Sequence, residues 1–168
     1  MTRFQASNPD FARVVRNTVL GMPAAKHLGF HFGDLAPGEA EIIQPYRPEL
    51  AQLAGHFQGG ILGALADFAG GSAAGTLLPE GWMNMTIDYT VKILAPARGE
   101  QVVARGRVLK TGKHVTVATV EPPTTVVPSS SGVTRGIPVQ LLQSTGEASF
   151  SKATSLSNSA QLASISSQ

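Results

Sequence analysis

The stretch from Gly59 to Leu78, closed by Pro79, holds a single charged residue, Asp67. Read as a helix, the 18 residues from Gly60 to Leu77 span about 27 Å. No side of it is polar, so it has no solvent face, and a helix apolar all round has to be surrounded by protein. Its glycines lower helix propensity, at roughly 1 kcal/mol each relative to alanine. They make sense where another backbone comes close. Any fold for this chain must therefore wrap one greasy rod and account for the carboxylate on it.

The flanking segments supply the wrapping. Asn8-Pro9-Asp10 signals a helix start, and Phe11, Val14, Val15, Thr18 and Val19 fall on one stripe, with Gly21 and Pro23 closing a helix over 10–20. Leu28–Leu35 and Ala40–Pro45 read as strands joined by a turn at Pro37-Gly38, followed by a loop over Glu49–Phe57. Past Pro79 the period becomes two. Thr86, Asp88, Thr90 and Lys92 alternate with Ile87, Tyr89, Val91 and Ile93 in a half-buried strand that ends at Pro96. Gln101–Lys110 and His114–Glu121 form a hairpin about Thr111-Gly112-Lys113. Pro122-Pro123 interrupts it, Thr124–Gly136 reads as an irregular loop, and Val139–Thr145 as a last strand. From residue 146 the chain is serine-rich, a composition that predicts a disordered tail. The fold class expected is α+β: one domain over 1–145, with a curved antiparallel sheet of five or six strands around a central helix at 59–78.

Composition narrows the function. Of the 168 residues 42% are hydrophobic and only 14% charged, against roughly 25% charged in an ordinary soluble domain. So few charges on so much apolar sequence point to a surface partly covered by a partner chain. The 13 basic and 11 acidic residues leave +2, with no basic clustering of the kind nucleic-acid binding needs. The absence of cysteine removes structural disulfides, Cys-ligated zinc and thiol catalysis. His27, His31, His56 and His114 have no metal-ligand spacing, so no metal site is expected. No apolar run matches a membrane span, and the first residues lack the apolar core of a signal peptide. The expected setting is soluble and cytoplasmic.

Asp67 is the residue to explain, because an ionised carboxylate on an apolar helix is costly unless paired or hydrogen-bonded. The bland possibility is an acid bonded to a nearby loop; the sharper one is a catalytic base or nucleophile. Gly59-Gly60 opens the same helix, where free N–H groups and the positive end of the dipole can polarise a carbonyl. Eight residues separate Gly59 from Asp67, about 12 Å along a helix. One reacting carbon cannot touch both. If two copies of the helix packed antiparallel across a two-fold axis, Asp67 of one would approach Gly59-Gly60 of the other, and the small residues suit such pairing. The spacing thus calls for a homodimer if these groups act together.

These motifs resemble a known family. Gln58-Gly-Gly followed by Leu65-Ala-Asp67, Thr86-Ile-Asp-Tyr-Thr90 with Ala95-Pro96, and Val108-Leu-Lys-Thr-Gly-Lys113 are similar to hot-dog-fold acyl-CoA thioesterases of the PaaI type, within the 4-hydroxybenzoyl-CoA thioesterase-like superfamily. The similarity runs from about Leu28 to Val120 and resumes at Ile137–Thr145. It implies a helix wrapped by an antiparallel sheet, dimers formed through paired sheets, and often dimers of dimers. It implies hydrolysis of an acyl-CoA thioester with no cofactor beyond the substrate's own coenzyme A.

Carried over by position, Asp67 is the general base or nucleophile, and Gly59 with Gly60 donates N–H to the carbonyl across subunits. Thr86 is the hydroxyl that helps position water, and Gln52 is a polar site contact. The family's usual His-Gly-Gly is Gln58-Gly59-Gly60 here, with His56 two residues earlier. Gln58 can offer a hydrogen bond but no proton at neutral pH, so either Gln58 or His56 takes the orienting role. Lys110 and Lys113 about Gly112, with Arg107 and Arg98, are cations for the phosphates of coenzyme A. The Glu121–Gly136 region departs from the family and leaves the closing strand shorter, displaced or reduced to Val139–Thr145. Two other functions stay open: a non-catalytic acyl-CoA or lipid-binding module, and a hot-dog dehydratase or hydratase, weakened because no histidine lies on the helix beside Asp67.

Overall fold

The computed structural model describes residues 4–93, 95–126 and 139–147. Three helices, α1 (Phe11–Gly21), α2 (Pro23–Leu28) and α3 (Gly59–Gly75), accompany six strands: β1 (His31–Ala36), β2 (Glu39–Pro45), β3 (Trp82–Thr90), β4 (Gln101–Thr111), β5 (Val115–Val126) and β6 (Val139–Glu147). The strands form one sheet in the order β1-β2-β4-β5-β6-β3, every neighbour antiparallel. The arrangement is the expected hot-dog: a sheet wrapped around the apolar helix.

Alternation along the middle strands builds the core. Ala40 and Ile42 of β2, Val102, Ala104 and Val108 of β4, and Ala118 and Val120 of β5 are buried, and so are Leu65, Ala66, Ala69 and Ala73 of α3. The small residues of α3 lie against its own sheet, so the close backbone they predicted is β4. A Cβ on Gly106 would collide with the Ala69 carbonyl and lie 2.9 Å from the Gly70 nitrogen. Because rigid backbone cannot yield there, Gly106→Ala is expected to destabilise the protein by about 3 kcal/mol, the upper range for overpacking, read as the midpoint shift in urea unfolding. An unchanged midpoint would mean that helix and sheet are not in backbone contact.

Several boundaries differ from expectation. The segment before β1 is the short helix α2 and not the start of a strand at Leu28. Pro23 occupies its first turn, where a missing N–H costs nothing, and Gly29 ends it in the left-handed conformation at φ 72°. α3 begins at Gly59 as expected but stops at Gly75, with Thr76–Leu78 forming tighter turns. β3 starts at Trp82, four residues before Thr86, and ends at Thr90.

β5 runs through Pro122-Pro123 to Val126. Between the pairs Arg105↔Glu121 and Val103↔Thr124 it carries one residue more than β4. That bulge leaves a backbone position outside the ladder, which is where proline is tolerated in a sheet. β6 pairs with both β5 and β3 and extends through Gly146 and Glu147, so those two residues belong to a strand and not to the tail. The remainder of the expected loop and of the serine-rich tail lies outside the described residues. Among the described residues, no helix is long and apolar enough to cross a membrane.

Candidate active site

Asp67 projects from the middle of α3 toward β3 and is half-buried. Its Oδ1 accepts a 2.5 Å hydrogen bond from Thr86 Oγ1, which is the partner that an acid on this helix requires. Among the described residues, Oδ2 has no hydrogen-bond partner. Behind Thr86 stands Gln143 of β6, only 1% exposed, whose Nε2 donates to Thr86 Oγ1 at 2.8 Å. Asn84 donates through Nδ2 to Gln143 Oε1 at 3.0 Å and to the Gly71 carbonyl at 2.9 Å. Asp67 and Thr86 lie on the wall of a cavity of about 280 Å³ between α1, α3 and β3. Its other lining is largely apolar, including Val15, Val19, Phe68, Trp82 and Met83.

The start of α3 forms a second, separate cavity of about 390 Å³, lined by Gln52, His56, Gly59, Leu62, Ile93 and Pro96 among others. The loop before the helix folds back on itself: Gln52 N–H bonds to the His56 carbonyl, and Gly55 takes φ 75°. The Gln52 amide contacts His56 Nδ1 at 2.6 Å, and Arg98 Nε donates to His56 Nε2. His56 is thus a buried side chain with both ring nitrogens engaged, tied to a cation at the helix entrance.

Gln58 does something the sequence reading did not assign. Its Oε1 accepts from Gly60 N–H at 2.6 Å and from Ile61 N–H at 3.2 Å, capping α3. The Gly60 amide is therefore already used within the chain. Gly59 N–H has no acceptor among the described residues and points out at the positive end of the helix.

The expected residues therefore fall into two groups on one chain. Asp67 and Thr86 are together in one cavity; Gly59, Gln52 and His56 are together in the other. Arg107 is not a free cation. It lies on the face of the sheet turned away from α3, 3.3 Å from Glu39 and 3.9 Å from Glu121, beside the Arg105–Glu41 pair at 2.7 Å. The cross-strand register Glu39↔Arg107 and Glu41↔Arg105 explains this, since opposed residues share a face. Lys110 and Lys113 are exposed about the β4–β5 turn. There Gly112 leaves room for the Val115 carbonyl, which a Cβ would approach to 2.9 Å. Val108 clusters with Ala73, Ala74 and Leu77, so the turn lies past the C-terminal end of α3, far from this chain's own Gly59.

Gln143 and Asn84 were missed. Asn84, a poor strand former between two methionines, was the one available signal; Gln143 had none.

Residues 54–121 match the model of the thioesterase superfamily. The chain is 34% identical over 123 residues to a candidate esterase of Halobacterium salinarum, covering 70% of this chain and 80% of that protein. A crystal structure of a thioesterase family protein from Silicibacter pomeroyi superposes with a TM-score of 0.75 at 30% identity, covering 82% of this chain and 99% of the other. A phenylacetic acid degradation-related protein from Ralstonia eutropha shares the fold, with a TM-score of 0.65 at 23% identity over 80% of this chain and 98% of that one.

Proposed function

Because the chain belongs to the thioesterase superfamily, we propose that it cleaves acyl-CoA thioesters at a site shared by two subunits. One observation carries this reading. The free amide of Gly59 and the carboxylate of Asp67 sit in separate cavities on the same helix, about 12 Å apart along its axis. An antiparallel second copy of α3 brings each group to the other's counterpart, completing two equivalent sites.

The sheet edge supports that pairing. β3 is a terminal strand, and Met85 (72% exposed), Ile87 and Tyr89 leave it apolar and open. Unpaired apolar edges are a liability in a monomer. A second β3 continues the sheet and covers these side chains. The Lys110–Lys113 turn then lies at the end where the partner's α3 begins, in reach of the phosphates of coenzyme A.

In the reaction, the partner's Gly59 N–H takes the thioester carbonyl oxygen and stabilises the oxyanion. Asp67 Oδ2 removes a proton from water, the hydroxide adds to the carbonyl carbon, and the C–S bond breaks. The thiolate then recovers the proton. Direct attack by Asp67, giving an anhydride that water opens, uses the same geometry. The acyl group occupies the apolar cavity beside Asp67. At about 280 Å³ this is nearly twice the roughly 150 Å³ that holds a benzene molecule, which suits an aryl or medium alkyl chain.

The test is release of free thiol from acetyl-, hexanoyl-, decanoyl- and benzoyl-CoA. Turnover is expected, highest for hexanoyl- or benzoyl-CoA. Tight binding of these compounds without thiol release would establish instead a non-catalytic acyl-CoA-binding module.

A further inference from the structure

The hydrogen bonds behind Asp67 have a direction, and the backbone of α3 sets it. The Gly71 carbonyl is an acceptor only, so the Asn84 atom facing it at 2.9 Å is the amide nitrogen. That same nitrogen faces Gln143 at 3.0 Å, so the Gln143 atom there is the carbonyl oxygen. The Gln143 amide nitrogen is then the atom 2.8 Å from Thr86 Oγ1, and the hydroxyl accepts its proton. Thr86 has one hydrogen to give. With its oxygen already accepting, it gives that hydrogen to Asp67 Oδ1 at 2.5 Å.

The chain thus starts and ends on α3, at Gly71 and Asp67, one helical turn apart, and passes through two strands. Thr86 and Gln143 are directly opposed across the β3–β6 ladder. β3 carries one extra residue between Thr86 and Asp88 relative to β6, a bulge of the kind that re-aims a side chain. Gln143 is 1% exposed and reaches the wall of the same cavity that Thr86 lines.

We propose that Gln143 is a positioning residue for the hydrolytic reaction, acting through Thr86. It fixes the Thr86 hydroxyl as a donor, which locks the Asp67 carboxylate in one rotamer with Oδ2 turned to the substrate. The inference rests on the reading of Asp67 as the acting group.

A double-mutant cycle tests it, with hexanoyl-CoA and benzoyl-CoA as probes. Gln143→Met keeps the volume and loses the donor; kcat is expected to fall about tenfold with KM within about twofold. Thr86→Val is expected to cost about as much or more, and Gln143→Met added to Thr86→Val to cost nothing further, because the intermediary is gone. In Thr86→Ser, which keeps the hydroxyl, the sensitivity to Gln143→Met returns.

A second variant leaves Gln143 in place. Asn84→Asp offers only acceptors at its position, so the Gln143 amide turns over and draws the Thr86 proton away from Asp67. The expected loss in kcat is again about tenfold, and again absent in the Thr86→Val background. An equal loss from Gln143→Met with and without the hydroxyl would mean that Gln143 serves packing alone, and would overturn the proposal. Full turnover in Asp67→Asn would overturn the underlying reading instead, so the two failures are separable.

Discussion

Asp67→Asn is expected to lower kcat by about three orders of magnitude, the scale for loss of a positioned base or nucleophile, while leaving the protein folded. The two side chains have the same shape, and the asparagine oxygen still accepts from Thr86 Oγ1. What disappears is the charge that takes a proton or attacks carbon at Oδ2. The bond from Thr86 becomes an ordinary neutral one, at a cost of about 1 kcal/mol, so Tm is expected to move by only about 2–4 °C for a chain of this size. Thiol release measured beside a melting curve reads both quantities. Loss of activity together with a collapse in Tm would make Asp67 a structural acid.

The second large effect is expected from Gly59→Pro. Gly59 is the first residue of α3, and Gln58 before it is extended at φ −69° and ψ 139°. Both features suit proline, whose fixed φ is welcome at the first helical position and whose predecessor must be extended. The substitution deletes one N–H and leaves the helix start intact. A Cβ at this position comes within 2.9 Å of Ile93 Cδ1, the flexible end of a side chain. If that N–H holds the oxyanion, kcat falls about 100- to 1000-fold, the range for removal of one such donor. The cap from Gln58 to Gly60 and Ile61 is untouched, so stability is not expected to follow. A Gly59→Ala control retains the N–H and is expected to retain most of the activity.

Much of this was legible in the sequence for one reason. A helix apolar all round has few solutions, and a sheet wrapped about it is the commonest, so α3 and the alternating strands declared the fold. The lone carboxylate and the diglycine start named the two groups that line separate cavities on this chain, and their spacing is the ground for the proposed dimer.

The rest was hidden by interactions that span long stretches of chain. Gln143 is 57 residues from Thr86, and nothing local distinguishes it from any polar strand residue. Arg107 looked free because its partners, Glu39 and Glu121, arrive from neighbouring strands. Pro122-Pro123 looked like a break because proline cannot join a ladder, yet a bulge of one residue accommodates it. Pro23 looked like a stop signal and is the first residue of a helix. Gln58, which the resemblance offered beside His56 for an orienting role, spends its oxygen on the helix N-terminus, a cap that its residue type alone did not announce.

The most direct test of the shared site mixes two crippled proteins. Asp67→Asn and Gly59→Pro, each expected to be nearly inactive alone, are unfolded and refolded together. In a mixed dimer one site inherits both defects and the other inherits neither. Random reassociation of a two-fold dimer therefore restores about a quarter of the wild-type rate per subunit. A rate no higher than the average of the two variants, with mixed dimers confirmed by mass, would place both groups at work within one chain and contradict the account.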